Sequence, residues 1–364
     1  MGNGAVVKVK LGTVILPDDH SVYKLFPGKG YKFYEIQHAT KLAFLDIRDL
    51  ETLGDDPLKW TDKQLLSVIS HDRVQRIIEG GGKAPGKIRV STGDKQALTF
   101  LRGLTRAKKG DLIAVPGSGY RSEVLIGQIT EHPGKLRSTR VKERTGTHTY
   151  FGRRVQWVAT LQKRLFDLEL INLLQSRAAF FDIGRSHYAE IHRIAFDSYV
   201  YDGQFVGVFK TSKSVFTPKD NLLTSVWFEL MEVVAEASSD GTLLKLDNIY
   251  DVVIQSDLKE DERQDLSISI QSPGKFRLRG LVATPLVTMA LFAMASSGVT
   301  YTQALGAEIT AHAVADIDRQ CMGEVDESVK DYLRILGKDR WEQACKVAMR
   351  ARTQATLETQ ATVD

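Results

Sequence analysis

The sequence predicts an α+β protein in three segments: a mixed α/β stretch over residues 1–95, a β-rich centre over 96–200, and an α+β part with a helical end over 201–364. Three observations predict it. Short apolar runs alternate with polar residues between glycine and proline breaks, as at Arg154-Val155-Gln156-Trp157-Val158 and Leu266-Ser267-Ile268-Ser269-Ile270. Helix-spaced apolar residues follow capping residues at Thr61 and Asp220. The stretch Glu79-Gly80-Gly81-Gly82-Lys83-Ala84-Pro85-Gly86-Lys87 breaks the pattern where a boundary would fall. A length of 364 residues suits two or three domains. With 43% hydrophobic and 26% charged residues, neither wholesale disorder nor a polytopic membrane protein is expected.

In order along the chain, Val6–Leu16 and Lys41–Ile47 read as strands, Phe26–Gly30 as a turn, and the residues after Thr61 as a helix. Ile88-Arg89-Val90 reads as a strand, Ala97–Leu104 as a helix, and Leu112–Pro116 and Glu123–Thr130 as strands. A polar loop is expected over Glu131–Gly152, a strand at Arg154–Val158, a helix over Leu165–Ser176 and a strand-like His187–Phe196. Beyond it come a helix capped by Asp220, a strand at Ile249–Ile254, and a hairpin turning at Ser272-Pro273-Gly274. Helices over Val325–Leu336 and Trp341–Arg350 precede a tail from Thr353 that is expected to fray. Gly280–Ala307 carries no charge. Its apolar centre, Leu286–Ala295, is about half a bilayer span, which favours a core helix with Pro285 in its first turn over a membrane-inserting segment.

Two cysteines without close spacing exclude a disulfide scaffold or a zinc ribbon, and the absence of a secretory pattern points to the cytoplasm. The net charge of +4 hides an asymmetry. Arg102–Arg154 holds twelve Lys and Arg against four Asp and Glu, a local excess that attracts polyanions, nucleic acid first among them. The reverse excess, at Asp251, Asp257, Glu260–Glu262 and Asp265, reads as an acidic loop.

Catalytic motifs are weak. Gly81–Lys87 matches G-x-x-x-x-G-K, but Ile88 stands where Ser or Thr should bind magnesium, so no nucleotide cofactor is inferred. The eight histidines show no zinc-ligand spacing. Arg185 and His192 lack the helix that an Arg–His ribonuclease pair would need. Asp251, Asp257 and Lys259, or Asp240 and Lys245, form no convincing metal-nuclease set.

Lys109-Gly110-Asp111-Leu112-Ile113-Ala114-Val115-Pro116, then Ile126-Gly127-Gln128-Ile129-Thr130, then Gly152-Arg153-Arg154-Val155-Gln156-Trp157 resemble, in order and spacing, the EVE-type branch of the PUA-like superfamily. The resemblance covers residues 96–200. It implies a small curved β-barrel that holds nucleic acid and inspects an extruded, possibly modified, base. Trp157 and Tyr120 would then be stacking faces, Gly117 and Ser118 would bond the base edge, and Arg137, Arg140, Arg153 and Arg154 would hold phosphates. It further implies a DNA- or RNA-binding sensor of bacterial antiphage defence, working beside a nuclease or helicase. The competing expectations are an effector, by cryptic nuclease activity or by membrane insertion of Gly280–Ala307, and a structural subunit of a larger assembly.

Overall fold

The computed structural model describes residues 6–53, 57, 59–241, 248–255, 265–269, 274–280, 283–313 and 319–364. Strand β1 (Lys8–Ile15) turns Val9, Leu11 and Thr13 inward and Lys8 and Lys10 outward, the two-residue period of a half-buried strand. The chain then builds one compact unit over Asp19–Ala195 and returns, from Phe196 to Asp364, to the unit that contains β1. The contact-defined division therefore differs from the three segments read along the sequence. No break falls at residue 95, and residues 19–95 share one unit with the β-rich centre.

The unit Asp19–Ala195 contains, in order, β2 (Val22–Leu25), α1 (Tyr34–Thr40), β3 (Leu42–Arg48), α2 (Asp62–Glu79), α3 (Thr92–Arg106), β4 (Leu112–Pro116), β5 (Glu123–Ile129), β6 (Arg137–Glu143), β7 (Gly146–Gln162), α4 (Leu168–Gln175), β8 (Phe180–Asp182) and α5 (Tyr188–Ala195). Helix α2 starts where expected: the Thr61 hydroxyl accepts from the Gln64 amide, and the Gln64 side chain bonds back to the Thr61 amide. Ser91 and Asp94 do the same for α3. The strands run β3-β7-β5-β4-β2-β8, with β6 added on β7. Leu25, Leu45, Ile69, Leu104, Ile113, Val115 and Leu125 share the core beneath.

No sheet closes into a barrel among the described residues, so the barrel that the resemblance implies is not formed. The 17-residue strand β7 explains the opening. Its first half pairs with β6 and β3, and its second half with β5, leaving β3 and β8 as separate ends. Three further expectations need correction. Residues 137–152 form a β-hairpin rather than a loop; Val141 is the one fully buried side chain of β6, which hid the strand in the sequence. Tyr188–Ala195 is a helix, because Tyr188, Ile191 and His192 fall on one face at helical spacing. Residues 88–90 are not a strand.

The hairpin is pinned at its turn end, where Glu143 pairs with Gly146. Glu143 accepts from the Tyr150 hydroxyl at 2.6 Å, from Lys32 at 3.0 Å and from the buried Arg48 guanidinium. Desolvation raises the Glu143 pKa, but these donors outweigh it and hold the carboxyl down to about 2. Arg48 also bonds Glu79 of α2 at 2.7 Å.

The second unit continues with β9 (Tyr199–Tyr201), β10 (Gln204–Thr211), α6 (Pro218–Ser239), α7 (Ile249–Gln255), β11 (Asp265–Ser269), β12 (Gly274–Gly280), α8 (Thr284–Ser296), α9 (Tyr301–Leu305), β13 (Glu308–Ala313), α10 (Arg319–Gln354, broken at Gly337), β14 (Leu357–Thr359) and β15 (Thr362–Val363). Its sheet runs β11-β12-β10-β9-β1-β13. The hairpin β11–β12 pairs Leu266 with Leu278; its expected turn at Ser272-Pro273 lies outside the described residues. The cap of α6 is Thr217, with Asp220 as its reciprocal partner three residues on rather than as the cap itself. Ile249–Ile254 is helical, since Ile249 and Val253, four apart, both meet the core. The tail does not fray: β14 pairs with β10 and β15 with β1.

Helix α8 settles the uncharged stretch. Twelve residues, Thr284 through Ala295, are buried within the unit's core, and Pro285 stands in the first turn. A Cβ at Gly207 of β10 would meet Met289 and the Pro285 carbonyl at 2.8 Å, so glycine permits this close approach. No helix among the described residues is long and apolar enough to cross a membrane.

Candidate nucleic-acid interface

Trp157 lies on β7 opposite Gly127 of β5. A Cβ at Gly127 would come within 2.7 Å of the indole ring, so the bare glycine lets the ring lie against the β5 backbone. The indole Nε1 donates to the His38 carbonyl at 3.0 Å, and the Val155 amide donates to the Lys41 carbonyl at 2.9 Å. These two bonds fasten the end of α1 to β7. The indole remains partly exposed, and it lines an open recess of about 770 Å³ with His38, Lys41, Glu131, Arg154 and Gln156. Lys41 and Arg154 are both exposed, so two cations border the recess.

Arg153 belongs elsewhere than the sequence placed it. It has no exposed surface, and its guanidinium donates to the carbonyls of Thr105 at 2.9 Å, Ala107 at 2.7 Å and His132 at 3.0 Å, and to that of Glu131. It therefore satisfies carbonyls at the C-terminal end of α3 and ties the 131–132 loop to them. Burial draws its pKa down to about 10, which still leaves it charged at neutral pH. A side chain so enclosed does not reach phosphate; it positions the wall of the recess.

The remaining predicted residues divide. Arg137 is exposed and pairs with Glu131 at 2.6 Å, which sets it beside the recess. Arg140 is also exposed, and it does not line the recess. Ser118 and Tyr120 are exposed in the β4–β5 loop, whose end pairs Glu123 with Gln162. That is four residues of β5 from Gly127, roughly 13 Å. The loop is held by the buried Lys163, whose Nζ donates to the Gly117 and Gly119 carbonyls at 2.8 and 3.0 Å. Trp157, Arg154 and Arg137 thus gather at one place, while Ser118, Tyr120 and Arg140 stand apart from it.

Sequence reasoning missed Lys41, His38 and Glu131, which reach the recess only through strand pairing. It also missed two interior lysines. Lys24 lies over the Phe26 ring at 4.9 Å and donates to the Ser176 and Ala178 carbonyls at 2.6 Å each; burial lowers its pKa to about 7, with the neighbouring Lys163 charge adding to the effect. Asp257, Lys259 and Lys245 of the imagined nuclease sets lie outside the described residues. Among the described residues no three His, Cys, Asp or Glu groups are placed to share a metal. Compared with family models, curated proteins and solved structures, the chain matches none.

Proposed function

We propose that this protein binds nucleic acid at the Trp157 recess and takes an unpaired or extruded base against the indole. The observation that carries the reading is a partly exposed tryptophan lining an open recess that two exposed cations border. A base is a flat π-surface, and stacking on an aromatic ring contributes about 1–3 kcal/mol whatever its sequence. Lys41 and Arg154 supply the charge that holds adjacent phosphates and positions the strand without reading it. The recess volume exceeds what one nucleobase needs, which leaves room for the sugar. The basic excess over Arg102–Arg154 and the EVE-type resemblance of residues 96–200 favour the same class of ligand.

Fluorescence anisotropy with the full chain and short single-stranded oligonucleotides tests this. Log affinity is expected to fall with log salt at a slope of about −0.7 for each phosphate neutralised, and Lys41→Ala or Arg154→Ala is expected to reduce that slope by roughly one contact. Trp157→Ala is expected to weaken binding by about 5- to 150-fold while leaving the salt slope in place. Equal affinities for wild type and Trp157→Ala would sink the reading.

A further inference from the structure

We infer that the β6–β7 hairpin holds the phosphate backbone of a double helix; the inference rests on the class of ligand just proposed, while its observations lie outside the recess. Val141 and Glu143 turn inward toward Tyr150, so alternation turns Arg140 and Lys142 outward together. Across the ladder, Thr149 stands opposite Arg140 and Thr147 opposite Lys142. Arg144 adds an exposed cation in the turn. Arg140, Lys142 and Arg144 make no hydrogen bond or ion pair with any described residue. The acids at this end of the hairpin are already occupied: Glu143 by Arg48, Lys32 and Tyr150, and Glu79 by Arg48 and the Thr145 hydroxyl. Among the described residues the outward face is therefore cationic without a counter-charge of its own.

A phosphate backbone suits this face. Arg140 and Lys142 supply charge, and the Thr147 and Thr149 hydroxyls supply further donors. Two residues along a strand advance about 6.8 Å, and a duplex carries a phosphate every ~3.4 Å of axis on each strand, so both cations meet one backbone. Single strands are held by stacking their bases on aromatic rings, and this face offers none: Phe151, opposite Ser138, is half-buried against the core. In a double helix the bases already stack on one another and the backbone is what faces outward. Thr149 and Trp157 lie eight residues apart on β7, at most roughly 26 Å. That is about eight base pairs, so a helix with one extruded base reaches both the hairpin and the recess.

Fluorescence anisotropy with the full chain compares two probes: a hairpin with a stem of about twelve base pairs and one bulged nucleotide, and a single strand of about four nucleotides. Arg140→Gln combined with Lys142→Gln is expected to lower the salt slope on the stem by about 1.8, two contacts at ~0.9 each, and to weaken binding at about 0.1 M salt by about tenfold or more. The single strand is expected to bind the same variant within about twofold of wild type. Neither side chain bonds anything in the fold, so the urea midpoint is expected to stay at the wild-type value. Lys338→Gln with Lys346→Gln removes the same charge from exposed positions of the other unit and is expected to leave the slope in place; an equal drop there makes the effect one of net charge and overturns the inference. The stem is made once as DNA and once as RNA, and a lowered slope on either supports the backbone contact and tells which helix the hairpin takes. An unchanged slope on both stems, with Trp157-dependent binding of the single strand, overturns the inference and leaves the proposed function standing. A lowered slope without any Trp157 dependence does the reverse. Absence of binding to every probe overturns both.

Discussion

Arg153→Met is expected to destabilise the unit Asp19–Ala195 by about 4 kcal/mol or more, a large share of the roughly 5–15 kcal/mol that holds a domain together. The size follows from what the guanidinium leaves behind. Thr105 and His132 each keep a second donor, from the Gly134 and Lys135 amides. The Ala107 and Glu131 carbonyls have no other donor among the described residues, so two interior acceptors lose their partners. Each such loss costs about 1–3 kcal/mol, and the charge-assisted bonds themselves are lost as well. Methionine fills most of the volume, so cavity formation adds little. Arg153→Lys keeps the charge, but a single ammonium cannot span carbonyls on α3 and on the 131–132 loop, and an intermediate loss is expected. Urea unfolding followed by tryptophan fluorescence checks both. A Met variant within about 1 kcal/mol of wild type would show that the loop does not depend on this residue.

Arg153 also marks where sequence reading stops. A residue inside an alternating basic strand is read as a solvated charge, because charged side chains are rarely enclosed. What reverses that reading is a set of carbonyls 21 to 48 residues away in the chain, and no local pattern announces them. Lys24 repeats the case with acceptors 152 and 154 residues away. The parts that were legible depend on near neighbours: the Thr61 cap of α2, the apolar runs of β4 and β5, the alternation of β11 against β12, and Pro285 at the start of α8. Helix α5 was misread for a related reason. Its inward face includes His192, counted as polar in the sequence, so the stripe Tyr188–Ile191–His192 lost a member. The terminal strands β14 and β15 are three and two residues long, too short to carry a period, and exist only because β10 and β1 offer edges to pair with. Of the candidate site, Trp157 and Arg154 were legible from one strand; Lys41 and Glu131 needed the sheet.

Replacing His192 is expected to alter acid sensitivity more than neutral stability. His192 has no exposed surface and His20 almost none, with ring centroids 5.1 Å apart. Desolvation, reinforced by the nearby His20, lowers the His192 pKa to about 3; desolvation lowers that of His20 to about 4 against the opposing pull of Asp182 and Asp19. Both folded values lie below the unfolded value near 6.5, so the unfolded chain binds more protons and stability falls as pH drops through that window. Asp111 and Glu190 work the other way: desolvation raises them to about 6 and about 7, so their protonation favours the folded state as pH falls. The total slope is therefore a difference of opposing terms, and a variant isolates one of them. His192→Phe keeps a ring and removes the titration, while Asp111 and Glu190 contribute to both proteins. Between pH 7 and pH 4.5 the wild type is expected to lose about 2–3 kcal/mol relative to His192→Phe. The carboxylates held low, Glu143 and Asp220 at about 2, begin to release their contribution as pH falls through their ordinary values near 4 and complete it near pH 2, and they do so equally in both proteins. Parallel stability–pH curves for the two proteins would mean that His192 takes its proton in the folded state as readily as in the unfolded one, which enclosure among His20 and Tyr188 does not allow.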